Sequence, residues 1–207
     1  MNKVVVTGTD TGIGKTIFSA GLTRALRASY WKPVQAGLAE ETDTQIVARL
    51  SLQPTLPESL RLDRPASPHI AAEAQGLQID PNALTRPNVE GPLVIEGAGG
   101  LMVPLNRKTL FLDVFAAWNI PVILCARTQL GTINHSLLSL QALRAAGCSV
   151  VGIAFIGDPE PDAEDSITGF GDVTHLGRLP RLDPLTPASL HAAFAEIDVQ
   201  SIQRAMS

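Results

Sequence analysis

Val4-Val5-Val6-Thr7-Gly8-Thr9-Asp10-Thr11-Gly12-Ile13-Gly14-Lys15-Thr16 opens the chain and decides how the rest is read. The β-branched run from Val4 to Val6 predicts a buried strand. A glycine-rich turn follows and ends in Gly14-Lys15-Thr16, after which Phe18, Leu22, Ala25 and Leu26 recur at helical spacing. Strand, glycine loop and helix, in that order, give a phosphate-loop pattern its mechanism. Backbone N–H groups of Gly12, Ile13 and Gly14 would cradle phosphate oxygens at a helix N-terminus. The Lys15 ammonium would reach the terminal phosphates and the Thr16 hydroxyl would bind Mg²⁺. Gly8 and Gly14 are separated by five residues, one more than in the standard pattern, and Thr9 stands where the first glycine usually does. A nucleotide phosphate is the expected ligand.

Composition narrows the classes. With 207 residues, 45% hydrophobic and 17% charged, and no linker-like stretch, the chain is expected to form a single domain over 1–207. A net charge of −4 without any Lys/Arg block argues against nucleic acid. No apolar run reaches membrane-spanning length and no signal-peptide layout is visible, so a cytoplasmic location is expected. Cys125 and Cys148 lie in or beside apolar stretches without metal-ligand spacing, and read as buried or half-buried free thiols.

Further along, a helix is predicted from Lys15 to about Ala28. A strand over Tyr30 to Val34 comes next, then a turn at Gln35-Ala36-Gly37 and a helix from Asp43 to Leu52. Pro54 to Pro68 is rich in proline, with short helices expected over 69–74 and 81–85. Strands are predicted at 92–95, 120–125, 150–156 and 173–176. Helices are predicted over 110–118, from Leu130 to near Gly147, and from about Pro187 to the end. Gly157 to Asp165 reads as an acidic loop. Strands apolar on both faces and alternating with helices predict an α/β, P-loop NTPase-like fold, a mainly parallel sheet with helices on both faces. Ligands in such sheets sit at the carboxyl ends of the strands, which gathers Thr11, Lys15, Lys32, Glu96 and the 131–135 turn on one edge.

Glu96 ends an apolar strand and precedes Gly97-Ala98-Gly99-Gly100, a placement that suits an acidic metal partner with close ligand approach. Asp43 is open between metal ligand, solvated residue and helix cap, with Thr42 competing for the cap. Lys32 at a strand end would place a second cation near the phosphate loop, where it would stabilise a transferring phosphoryl group. Gly131-Thr132-Ile133-Asn134 starts a helix whose free N–H groups favour a carboxylate. His135 reads as structural, and His69 and His175 carry no partner signal.

These separated motifs, with Lys32-Pro33-Val34-Gln35, Ser67-Pro68-His69 and Leu130-Gly131-Thr132-Ile133-Asn134-His135, resemble the dethiobiotin synthetases, ATP-dependent carboxylases of biotin synthesis. The resemblance runs from Val4 to about Leu182. It implies ATP and Mg²⁺ as cofactors and 7,8-diaminopelargonate and CO₂ (or bicarbonate) as substrates. A carbamate forms on one amine, the γ-phosphoryl of ATP activates it, and the second amine closes a cyclic urea. It implies Lys32, Lys15 and Thr11 at the reacting groups, and Thr16, Asp43 and Glu96 as Mg²⁺ ligands. Nucleotide contacts would come from Gly12 to Ile17, Asp43, Glu96, Gly97, Ala98, Gly99, Pro180, Arg181 and Leu182. Thr11, Lys32, Ala36 and Gly131 to Asn134 would contact substrate, the last segment from the second subunit of a homodimer. Ala36 replaces the Ser or Thr frequent in that family, and Ile156 stands where a relative carries an adenine-reading asparagine, so weaker discrimination among nucleoside triphosphates is expected.

Three other readings compete. A partitioning-type ATPase switch would carry a lysine where Asp10 stands. A cobalamin-type amidotransferase would need a further glutaminase domain. A binding subunit without chemistry would not require Lys15, Thr16, Lys32, Asp43 and Glu96 together.

Overall fold

A computed structural model describes residues 2–207. Six strands form one sheet in the order β2-β5-β1-β6-β7-β8, every pair parallel: Ser29–Trp31 (β2), Leu93–Glu96 (β5), Lys3–Gly8 (β1), Val122–Arg127 (β6), Val150–Ile156 (β7) and His175–Leu179 (β8). Two short parallel strands, Val34–Ala36 (β3) and Leu60–Leu62 (β4), pair beside it. The chain fills one side of β1 first and then crosses to β6, so the winding switches at β1, where a ligand crevice is expected.

The valines of β1 explain its central place. Val4 and Val6 pack into one core and Val5 into the other, so an unbroken apolar run is buried on both faces. Lys15–Leu26 (α1), Asp43–Ser51 (α2) and the C-terminal helices Pro187–Ala193 (α7) and Val199–Met206 (α8) cover the first face, through Phe18, Leu22, Leu50, Leu190 and Ile202. Pro68–Ala74 (α3), Phe111–Trp118 (α4), Thr132–Ala145 (α5) and Pro161–Gly171 (α6) cover the second, through Ala71, Phe115, Leu140 and Ile167. The expected parallel sheet with helices on both faces is therefore observed.

Several boundaries differ from expectation. The strand foreseen over Tyr30 to Val34 is two strands. β2 stops at Trp31, and after Lys32 and Pro33 the chain joins β4, so Gln35 and Ala36 are strand residues instead of a turn. Proline lacks the N–H that a continuing ladder requires, so the break falls there. The acidic loop foreseen over 157–165 is cut short by α6. Pro161 takes the first helical position and Asp162 and Glu164 lie in the first turn, where proline and negative charge favour a helix start. The strand expected at 173–176 begins only at His175, because the Val173 N–H still closes the end of α6 on Thr168 O. The single last helix is two, separated by a 3₁₀ turn over Phe194–Glu196.

Candidate active site

Because all six strands run the same way, their carboxyl ends share one edge, and the phosphate loop lies over it between β1 and α1. Gly14 has φ +97°, a left-handed conformation that glycine adopts without strain. Gly8 does a different job: a Cβ there would come within 2.9 Å of Lys15 Cδ, so its bare backbone lets the lysine fold back across the strand end. The Lys15 ammonium, 6% exposed, donates to Asp10 O at 2.7 Å. Burial pushes its pKa down against the pull of Glu96. The Asp10 side chain lies 3.8 Å from Arg127 at the end of β6.

Glu96, 1% exposed, is the hub of the edge. Its Oε1 accepts from Thr16 Oγ1 at 2.9 Å and from Lys32 Nζ at 3.1 Å, and its Oε2 accepts from Tyr30 Oη at 3.0 Å. Lys32 also pairs with Asp43. Burial alone would lower the Lys32 pKa, but the two carboxylates outweigh it and hold it raised, so the residue stays a cation. Asp43 opens α2, and its N–H donates to Gln35 Oε1 at 3.3 Å. Thr42 is the cap of that helix, in a reciprocal capping box with Gln45, which leaves the Asp43 carboxylate free to face Lys32.

A cleft of about 400 Å³ opens beside this cluster, with Thr11, Lys32, Ala36, Asp43, Ser67 and Gly99 on its walls. A second, of about 330 Å³, lies over the phosphate loop between Gly12, Gly14, Arg127, Ile156, Gly157 and Arg181. Ile156 packs on the loop, since a Cβ on Gly14 would meet its Cγ2 at 2.8 Å. Pro180 and Leu182 are half-buried on either side of exposed Arg181, directly after β8.

The structure thus brings together Thr11, Lys15, Thr16, Lys32, Ala36, Asp43 and Glu96 at one edge, with the glycines after Glu96 beside them. It does not bring Gly131 to Asn134 to the first cleft within one chain. Thr132 is buried, its Oγ1 3.5 Å from Ser136 Oγ, while Ile133 and Asn134 are exposed at the start of α5. His175, which carries no partner signal in the sequence, has a partner in the fold: its Nε2 lies 2.9 Å from Glu164 Oε2, and its Nδ1 accepts from the Gly177 N–H. Tyr30 and Arg127 escaped the sequence reading, and Gln35 entered it only within the Lys32-Pro33-Val34-Gln35 motif.

Thr16, Asp43 and Glu96 offer only hard oxygen donors, the set Mg²⁺ prefers. Among the described residues no group of three or more His, Cys, Asp or Glu could hold a metal. Two carboxylates and a hydroxyl therefore fit an ion that takes its other ligands from phosphate and water.

Residues 2–189 match a family described as an AAA domain. A protein of Rhodopseudomonas palustris (strain BisB18) called ATP-dependent dethiobiotin synthetase BioD is 63% identical over 195 residues, 93% of each chain. The chain belongs to the dethiobiotin synthetase family. A dethiobiotin synthetase of Agrobacterium fabrum is 60% identical over 197 residues, 94% of this chain and 93% of its own. Among solved structures, the Pyrococcus furiosus cell division ATPase MinD superposes with a TM-score of 0.63 over 99% of both chains at 14% identity. That likeness is one of fold alone. No helix among the described residues is long and apolar enough to cross a membrane.

Proposed function

We propose that this chain closes the cyclic urea of dethiobiotin from 7,8-diaminopelargonate, CO₂ and ATP in the cytoplasm, as a homodimer of single-domain subunits. The observation that carries the reading is the convergence of two buried lysines on one strand edge beside a cleft. Lys15 lies over the loop that would hold the phosphates, and Lys32 stands between that loop and the cleft.

One amine of the diamine adds to CO₂ and loses a proton, giving a carbamate. A carbamate oxygen attacks the γ-phosphorus of ATP and ADP leaves. The second amine attacks the carbon of the resulting anhydride, and phosphate departs as the ring closes. Each stage needs negative charge held in place and water kept away, which positioned cations in a low-dielectric site supply. Lys32 steadies the carbamate and the transferring phosphoryl, Lys15 the β- and γ-phosphates, and Thr11 orients the diamine across the cleft. Thr16, Asp43 and Glu96 would hold Mg²⁺, which when bound offsets phosphate charge. Gly131 to Asn134 at the start of α5 would hold the substrate carboxylate at the cleft of a second subunit; this suits a segment that borders no cleft of its own chain near Lys32. Pro180 to Leu182 and Gly157 would flank the base.

The test is incorporation of labelled bicarbonate by the purified protein. Acid-stable label that requires ATP, Mg²⁺ and the diamine together is the expected result. Intact nucleotide binding without stable label would overturn the reading.

A further inference from the structure

The one tyrosine of the chain lies beneath the cluster. Tyr30 is in register with Val94 across the β2–β5 ladder, and side chains two apart on a strand share a face. Tyr30, Val94 and Glu96 therefore lie on the same side of the sheet, the side α1 covers, and the phenol runs along that face to the strand end. Trp31 points the other way and stacks near Trp118, with ring centroids 5.8 Å apart. Tyr30 is 0% exposed, and its hydroxyl donates to Glu96 Oε2 at 3.0 Å. Burial, and then the Glu96 charge, push its pKa well up.

The end torsion of a glutamate is soft and roughly two-fold. Left alone, the plane of the Glu96 carboxylate could turn about that torsion and carry its oxygens away from the site. With Oε2 occupied by the phenol, Oε1 is the oxygen facing Thr16 and Lys32. We propose that Tyr30 is a positioning residue for the metal–nucleotide site, fixing the plane of the Glu96 carboxylate so that its other oxygen is held beside the Thr16 hydroxyl. The proposal rests on the reading of Glu96 as a Mg²⁺ ligand.

Calorimetric titration of Mg²⁺ into the protein–ADP complex tests both layers. Tyr30→Phe removes one oxygen atom and should raise the half-saturating Mg²⁺ concentration fivefold or more, while metal-free ADP affinity stays within twofold of the parent. Glu96→Gln should raise it further, and adding Tyr30→Phe to that variant should change nothing more, since Tyr30 acts through Glu96. A Tyr30→Phe titration that overlays the parent while Glu96→Gln is weakened would reduce Tyr30 to packing and leave the metal reading standing. If Glu96→Gln also overlays the parent, the metal reading fails and the proposal fails with it. Should Tyr30→Phe not fold, the single tyrosine allows the intact enzyme to be labelled with 3-fluorotyrosine. Its ¹⁹F resonance in the ADP complex should move on adding Mg²⁺, and an unmoved resonance would overturn the proposal.

Discussion

The two flanks of the strand edge are built differently. On the β2–β5 side, Lys32 and Glu96 are 4% and 1% exposed and are bonded to each other, to Asp43, to Thr16 and to Tyr30. On the β7–β8 side, the half-buried Ile156 side chain leans on Gly14, the Gly157 N–H is used by Leu179 O, and the cations lining the cleft are the exposed Arg181 and Arg127 from the end of β6. One flank fixes charge before any ligand arrives; the other offers an apolar wall, backbone and arginines outside the buried cluster. The contrast follows from what each flank would have to do. Charge that develops during phosphoryl transfer is stabilised best by groups already in place, whereas a base that takes no part in the reaction needs only a surface.

The charged flank is the easier to break. Lys32→Met keeps most of the volume and removes the cation between Asp43 and Glu96. Loss of one preorganised electrostatic group costs about 10²–10³ in turnover, and ring closure should fall at least that far. Removing one partner of a buried pair also costs about 3–5 kcal/mol of stability, so the melting temperature should drop as well. ADP affinity, measured calorimetrically, should change far less, because Lys15 and the loop backbone would hold the phosphates. A loss of ADP binding as large as the loss of turnover would show that Lys32 serves the nucleotide and not the transfer.

The apolar flank makes a smaller prediction. With Ile156 where an amide could read adenine, GTP and CTP should compete with ATP, and the preference for ATP should stay below about a thousandfold, roughly 4 kcal/mol. Ile156→Asn should sharpen that preference by about tenfold, the value of one discriminating interaction near 1.4 kcal/mol. Competition assays on both proteins check it, and a preference above a thousandfold in the parent would mean that backbone around Gly157 and Pro180 to Leu182 reads the base unaided.

The same contrast explains what could be read in the sequence. Lys32 and Glu96 were legible because each follows a buried apolar strand, and a parallel sheet sends all such ends to one edge. Thr42 and Asp43 could not be ranked as caps without seeing that Gln45 completes the box around Thr42. Tyr30 looked like any core aromatic, and only the register with Val94 puts it on the same face as Glu96. Arg127 was hidden because it joins Asp10 from a distant strand, and a pair so far apart in sequence leaves no local pattern. Helix α6 was missed for an opposite reason: proline and acidic residues, taken as loop signals, are equally the signals of a helix start.

The smallest expected effect lies in the first cleft, on the charged flank itself. Ala36 ends β3 and is half-buried in the wall of the first cleft, close in sequence to Lys32 but carrying no polar atom on its side chain. Ser67 lines the same cleft and, although it precedes α3, its hydroxyl makes no capping bond to that helix. If the diamine binds in this cleft, Thr11 and Ser67 are the hydroxyls already available to it. Ala36→Ser would add a third next to the buried cation. A neutral hydrogen bond contributes about 0.5–1.5 kcal/mol net, so KM for the diamine should fall about two- to tenfold with kcat and ADP affinity unchanged. Steady-state kinetics in the diamine, at saturating ATP, decide the point. A fall in kcat instead would mean that the added oxygen competes for Lys32 and draws it from the carbamate, making the absence of a hydroxyl at Ala36 part of how the charged flank keeps its cation available for the transfer.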